Sequence, residues 1–419
     1  MAEDVKQTAS PLSGHHLVVF GPDWGRHPSV SQHVFQQFVG KSRIIWVETV
    51  GMRTPKLTWR DVKRSWQKLS DFWRAGRRRQ QPSRAVVAGV HVVTPVTLPF
   101  TRFSLVRLFN LWQVRRAVRR AVDRFGFVDY TLVATVPSQC DFVGKLGEAR
   151  SLYYCIDDYA LWPGMESHHV RRMERRLASA VDAIVVSSDA LATAMRDSGK
   201  PVHLLSHGVD AEHFGVAPVH RLGQAFEIVY FGLIDERMDQ DLVLAVAAAL
   251  PRASIRLIGP VVTDVNRLTQ VANIRLEGAV PYQNLPEVVA TADLFILPYV
   301  LSELAKSINP IKLKEYLACG RPVVATALPE VQKLAGLVAV ARDQAHFVEM
   351  TRAAAAQRLP VDRQAVQAFV AAESWHAKAV AFGSYIEALG TRSPSAAPHG
   401  IASSQNGGPD VSLATQPSM

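Results

Sequence analysis

Residues 307–324 read SINPIKLKEYLACGRPVV, and almost every position carries a structural instruction. Asn309 is a good helix N-cap, and Pro310 suits the first helical position, where a backbone N–H has no intrahelical acceptor. The spacing predicts a helix over 311–318. Gly320 then ends it in a left-handed turn, Pro322 keeps it from restarting, and Val323, Val324 and Ala325 open a buried strand. The helix start offers unpaired N–H groups and the positive end of the dipole beside Lys312. Glu315, three residues on, lies on the same face one turn deeper. An ammonium and a helix dipole at one level suit a diphosphate, and a carboxylate one turn away suits the paired hydroxyls of a ribose. Asn309, Ile311, Lys312 and Glu315 thus form a candidate nucleotide-diphosphate site. The competing reading is an ordinary surface ion pair between Lys312 and Glu315.

At 419 residues and 48% hydrophobic content, the chain has room for two domains of about 150–200 residues each. No run of about 18 uncharged apolar residues occurs, so no transmembrane helix is expected. The polar start MAEDVKQTASPLSGHH lacks a signal-peptide core. Cys140, Cys155 and Cys319 are far apart and match neither a zinc nor a disulfide framework, which points to the reduced cytosol. The net charge of +10 is uneven. Between residues 51 and 125 there are 18 Lys and Arg against three acids (Asp61, Asp71 and Asp123), so that stretch is +15 and the remainder is −5. Such asymmetry points to an anionic partner met by one face of one domain.

Apolar runs at 15–21, 43–50, 90–93, 131–136, 151–156 and 183–187 alternate with helical stretches, the pattern of parallel βαβ units. A second series begins near Phe226: EIVYFG, a helix over 242–250, then SIRLIG, NIRLEG, LFILPY and PVVAT. Gly-marked strand ends in this half converge on one crevice if the sheet is parallel.

The 307–324 segment resembles the donor-site motif of GT-B glycosyltransferases (glycosyl transferases group 1, family 4-like). In that motif a Lys or Arg holds the diphosphate, and a Glu ahead of a small-residue-Gly-Pro-Val-Val run holds the ribose. The resemblance extends, more weakly, over residues 15–390. It implies an α/β GT-B fold, two Rossmann-like domains facing each other across a cleft. The expected division is a disordered 1–14, an acceptor- and membrane-facing domain at 15–205, and a nucleotide-sugar domain at 206–373. A closing helix at 374–389 returns toward the first domain, and a disordered tail fills 390–419.

On the donor side, Gly232 ends a strand where a missing side chain lets a ligand approach, and Arg237 follows it. The family often has a basic residue just after this Gly; here it is displaced, and a solvated loop arginine is the alternative. Gly259 and Pro260 end the next strand. The loop 278–286 resembles the one that frames the nucleobase, where Tyr282 would stack or cap, unless it only packs the loop. His207, in SHGVD, is a candidate contact for donor phosphate or acceptor, although a lone His often only closes a loop.

One departure matters. The common family motif has two glutamates separated by seven residues. Counting back from Glu315 gives Ser307, with Glu303 close by but out of register, so the signature of retaining enzymes is incomplete. An inverting transferase needs a general base, and a carboxylate at a strand's carboxyl end facing the cleft is placed for it. YYCIDD at 153–158 resembles the Tyr-x-x-x-Asp strand end of xanthan-type glucuronosyltransferases, and by that match Asp157 is the base. In the competing reading Asp157 and Asp158 cap the next turn. The loop 21–29, GPDWGRHPS, should overhang the same cleft, with Trp24, Arg26 and His27 available to an acceptor sugar or its pyrophosphate.

Trp59, Val62, Trp66, Leu69 and Trp73 form one stripe of a helix flanked by Lys and Arg. Leu111, Val114, Val118, Ala121, Val122 and Phe125 form another, with Arg115, Arg116, Arg119 and Arg120 on its other side. Segments 59–79 and 102–124 are therefore expected to lie on an anionic membrane surface, unless both stripes face the core. No nucleic-acid motif occurs, so nucleic acid is not expected as a partner. The resemblance implies a cytoplasmic hexosyltransferase at the inner face of the plasma membrane. It would use a nucleotide-diphosphate sugar, UDP first, as co-substrate for a lipid-linked saccharide acceptor in surface-polysaccharide assembly, with no further cofactor and no metal. The alternatives are a UDP-sugar 2-epimerase on the same fold and a degenerate nucleotide-binding scaffold.

Overall fold

His16–Gly21 (β1, HLVVFG) and Glu227–Phe231 (β8, EIVYF) are apolar along almost their whole length. Such strands need cover on both faces, which a parallel sheet flanked by helices supplies. The computed structural model describes residues 10–25, 29–48, 89–98, 102–215 and 223–390. The expectations for 1–9, for Arg26 and His27, for the 59–79 helix and for the tail beyond 390 lie outside those residues.

The first sheet adds Arg43–Glu48 (β2), Val90–Val93 (β3), Thr131–Ala134 (β4), Arg150–Cys155 (β5), Ala183–Val186 (β6) and Val202–Leu204 (β7). Its order is β3-β2-β1-β4-β5-β6-β7, and every pair is parallel. The second sheet adds Ser254–Ile258 (β9), Ile274–Gly278 (β10), Leu294–Leu297 (β11), Val323–Thr326 (β12) and Ala339–Ala341 (β13). Its order is β10-β9-β8-β11-β12-β13, again all parallel. Strand order reverses between β1 and β4 and between β8 and β11. Ligands sit outside the carboxyl ends of strands at such points, so each half offers one crevice mouth.

The helix Trp375–Ala388 leaves the second half and packs on the first. Phe382 lies edge-on to Phe35 and to Tyr154, each at 5.2 Å. Trp375 covers Gly208, where a Cβ would stand 2.6 Å from its ring, and stacks flat on His33 at 4.7 Å. Gly383 admits the backbone of Pro11, whose carbonyl oxygen would be 2.0 Å from a Cβ there. This corrects the expectation of disorder through residue 14. Leu12 is fully buried in the first half's core, and its carbonyl accepts from Ser42 Oγ at 2.7 Å.

The helix Ser104–Phe125 corrects a second expectation. Val114, Val118 and Ala121 are buried in the core, so the regular apolar stripe faces inward and Arg115, Arg116, Arg119 and Arg120 are its solvated side. The exposed apolar residues are others, on the first turns: Phe103, Leu105, Leu108, Phe109 and Trp112.

Truncating Phe382 should expose this dependence on the returning helix. Phe382→Ala is expected to lower the unfolding free energy by about 3–5 kcal/mol in urea titration. A loss under about 1 kcal/mol would mean that the helix docks without that ring.

Candidate functional site

The helix Ile311–Ala318 forms where its punctuation predicts, with Gly320 in the left-handed region at φ +69°. Its start differs. Pro310 occupies the cap position without a side-chain hydrogen bond, and Asn309 turns away to donate to Glu330 Oε2 at 3.2 Å. The buried Glu330 carboxylate also accepts from the Asp189 N–H at 2.9 Å and pairs with Lys333 at 2.7 Å, so Asn309 completes a contact between the halves. With the helix start left uncapped by a side chain, the Ile311 and Lys312 N–H groups remain available to an anion, while that of Leu313 bonds the Pro310 carbonyl at 3.0 Å. Ile311 packs against the first half's core.

Lys312 lies across the end of β8. A Cβ on Gly232 would sit 1.7 Å from Lys312 Cε and 2.9 Å from Nζ, so the lysine needs a glycine beneath it. Gly232 has φ +148°, and its carbonyl is backed by Gly259 (φ +147°), where a Cβ would come within 1.8 Å. Gly259 therefore supports Gly232, while Pro260 is exposed and accepts from the Ile234 N–H at 2.9 Å.

Glu315 is one turn deeper and only 9% exposed. Its carboxylate has no hydrogen-bond partner among the described residues, and burial raises it to about 7 against the attraction of Lys312. Tyr282 is close enough to be affected by Glu315 and Asp210, and burial pushes its phenol well up. One face of Tyr282 is taken by His213, stacked at 4.5 Å, whose Nε2 meets the Tyr282 carbonyl at 3.0 Å. His33 from the first half approaches Tyr282 at 5.7 Å, and burial lowers its imidazole to about 4. His33 and His213, which sequence reasoning missed, thus extend an aromatic wall from one half to the other.

Arg237 is no solvated loop residue. It makes a two-pronged pair with Asp235 (Nη2–Oδ2 2.7 Å) and lies 5.8 Å from the Tyr299 ring and 6.0 Å from that of Trp162 in the first half. Its charge also acts on Asp157 across the cleft.

The two adjacent acids after β5 separate cleanly. Asp158 caps the short turn at Tyr159–Leu161, accepting from the Ala160 N–H at 3.2 Å, and pairs with Arg171 at 2.6 Å. Asp157 has no side-chain hydrogen bond among the described residues. Its carboxyl is pushed up to about 7 by desolvation; Arg237 opposes the shift and Asp158 adds to it.

Two expected contacts are placed differently. Trp24 sits in the first half's core, edge-on to Trp46 at 4.6 Å, with its backbone N–H donating to Glu48 Oε1 at 3.0 Å. His207 is buried, its Nδ1 has no partner, and burial with Lys314 and Lys378 nearby lowers it to about 3. Lys314 was missed because it lies two positions from Lys312 and so points to the other side of the helix. It binds Glu373 and the His207 carbonyl and reaches Ser206 Oγ at 3.2 Å, while Lys378 pairs with Glu373 at 2.6 Å. Burial pulls Lys314 down to about 8 even against Glu373. Ser307 spends its hydroxyl on Leu304 O (2.8 Å), and Glu303 pairs with Lys306 at 2.8 Å. Among the described residues, no cluster of three or more His, Cys, Asp or Glu could hold a metal, and no helix is long and apolar enough to cross a membrane.

Residues 225–357 match the family of glycosyl transferases group 1. A protein of Bacillus subtilis (strain 168) assigned as a teichuronic acid biosynthesis glycosyltransferase, TuaH, is 30% identical over 182 residues. That alignment spans 39% of this chain and 45% of the relative's length. The fold is similar to sucrose-phosphate synthase from Thermosynechococcus elongatus, with TM-score 0.63, 12% identity, 90% of this chain and 99% of that one covered. Anabaena HepE, solved with UDP and glucose, gives TM-score 0.62 at 13% identity, covering 90% and 100%. The architecture expected from the sequence is therefore present: the fold is GT-B.

The unpartnered Glu315 gives a test with a fixed sign. An unfolded Glu titrates near 4.3, so the folded state holds its proton more tightly, and this group's contribution to stability falls as pH rises from about 4 to 7. Glu315→Gln is expected to be about 1–3 kcal/mol more stable than the parent at pH 8 in urea, with the gap closing by pH 5. A variant less stable than the parent at pH 8 would show that the carboxylate is already satisfied in the native fold.

Proposed function

We propose that this chain is a glycosyltransferase that moves a sugar from a nucleotide diphosphate, UDP first, to a lipid-linked saccharide during surface-polysaccharide assembly. The observation that carries the reading is Lys312 laid over Gly232 at a helix N-terminus with the unpartnered Glu315 one turn deeper. In this reading the diphosphate meets Lys312 and the helix N–H groups, the ribose hydroxyls meet Glu315, and the base lies toward Tyr282. The complex of HepE with UDP and glucose supports the donor class, and the teichuronic acid role assigned to TuaH supports the product class.

Asp157 is the group for the acceptor. It takes the hydroxyl proton as that oxygen attacks the anomeric carbon, while the bond from that carbon to the diphosphate oxygen breaks. The leaving diphosphate gains negative charge, which Lys312, the helix dipole and Arg237 stabilise. A base must be ionised to act, and Asp157 titrates at about 7 in the free protein. Transfer is expected to rise through an acid limb with a midpoint near neutral pH. Asp157→Asn should cut kcat by about 10²–10⁴-fold while UDP affinity holds in calorimetry. Unchanged transfer in that variant would remove Asp157 from the mechanism.

The acceptor is held at a bilayer, and the docking surface is the start of the Ser104–Phe125 helix. Leu105 is 81% exposed, Leu108 62% and Trp112 55%. Arg102 lies 4.8 Å from the Phe103 ring and Arg116 lies 5.6 Å from that of Trp112, and Arg115 is exposed beside them. Exposed apolar side chains edged by arginine suit the cytoplasmic face of a membrane rich in anionic lipid. Leu105→Asp with Leu108→Asp should weaken co-sedimentation with phosphatidylglycerol vesicles by about 10-fold or more, because each burial contributes about 1.5–3 kcal/mol. Unaltered co-sedimentation would exclude this surface as the membrane contact.

A further inference from the structure

The helix that carries Lys312 has a second cavity at its other end. The space is about 410 Å³, within the range of small-molecule sites. It lies between the end of Ile311–Ala318, the turn through Arg321, and one side of the helix Arg363–Ala372. Leu317, Val366 and Val370 give it an apolar floor, and Arg321, Arg363 and Gln367 give it polar edges. Ala318 is six positions along from Lys312, or about 9 Å of helix, so this cavity is separate from the crevice at β8.

The charges at this cavity are unbalanced. Among the described residues neither Arg321 nor Arg363 makes an ion pair, and Nη2 of Arg321 is buried with no hydrogen-bond partner. Burial lowers Arg321; the Asp293 carboxylate attracts it without a hydrogen bond or ion pair, and Arg363 repels it. Asp362, the neighbouring acid, is spent on capping the Arg363–Ala372 helix through the Ala365 N–H at 2.9 Å. Two guanidinium groups that line one cavity, neither in an ion pair and one with an unpartnered buried nitrogen, favour an oxyanion of double charge, which their planar forks match. The apolar floor favours a body that leaves water with it.

We propose that this cavity is a second ligand site, taking a phosphate monoester with a compact apolar body. It is independent of the glycosyltransferase reading. Bound ligand would touch Leu317 on the helix that presents Lys312 and Glu315, and Ala211 on the short helix whose cap, Asp210, is near Tyr282.

The test is calorimetric titration of the full chain with phenyl phosphate, in excess UDP so that the donor crevice is filled. One site is expected, with inorganic phosphate weaker by about 10-fold or more and phenol giving no binding. Arg363→Ala changes an exposed residue and should fold normally. It and Arg321→Met should each weaken phenyl phosphate by about 10-fold or more. Lys312→Ala should leave its affinity within about twofold, below the 1.4 kcal/mol of a tenfold change. Absence of binding, equal affinity in both arginine variants, loss in Lys312→Ala, or equal affinity for inorganic phosphate would each overturn the assignment.

Discussion

The contact on which the site depends is the passage of Lys312 across the bare backbone of Gly232. An ammonium held over a strand end needs its methylene stem to lie within van der Waals reach of the main chain, and any Cβ at 232 would occupy that space. Gly232 in turn needs Gly259, because the two strand ends touch backbone to backbone. Both have positive φ, so two adjacent parallel strands end in conformations that only glycine adopts without strain. The consequence is a shallow floor at the switch point of the second sheet, with a cation and a helix N-terminus at one height.

The other requirement is that the two halves keep their mutual position. Polar contacts between buried groups do this: Ser188 Oγ to the Ser307 carbonyl at 2.6 Å, the Asp189 N–H to Glu330, and the Lys314–Glu373–Lys378 cluster gathered around Ser206 and His207. Buried ion clusters contribute little net stability but make alternative packings costly, since a displaced partner strands a charge. Lys314 and Lys312 thus divide one helix between two tasks. One face anchors the crossing between the halves and the other faces the crevice.

Sequence reading succeeded where the determinant is local. Pro310, Gly320 and Pro322 bound the Ile311–Ala318 helix residue for residue, and the βαβ alternation marked every strand but the short edge strands Val202–Leu204 and Ala339–Ala341. It failed where a distant residue decides. Asn309 looks like a cap until Glu330 claims its amide, and Trp24 looks like a cleft residue until Trp46 draws it inward. The strand-end resemblance singled out Asp157, but the residues themselves left both acids open to capping, and Arg171 on another helix separates the ion-paired cap Asp158 from the unpartnered Asp157. The apolar stripe of Ser104–Phe125 was correctly periodic, yet periodicity alone marks a buried face; the exposed residues on its first turns break that pattern. His33 and His213 were out of reach because the wall they form with Tyr282 joins residues more than 60 positions apart.

Catalysis as proposed needs one crevice in which donor groups from the second half face Asp157 from the first. A crystal structure of the chain with UDP bound measures this directly. The diphosphate should lie on Lys312 and the first N–H groups of Ile311–Ala318, both ribose hydroxyls should lie on Glu315, and the terminal phosphate should point toward Asp157. A diphosphate bound away from Lys312, or a ribose without contact to Glu315, would contradict it.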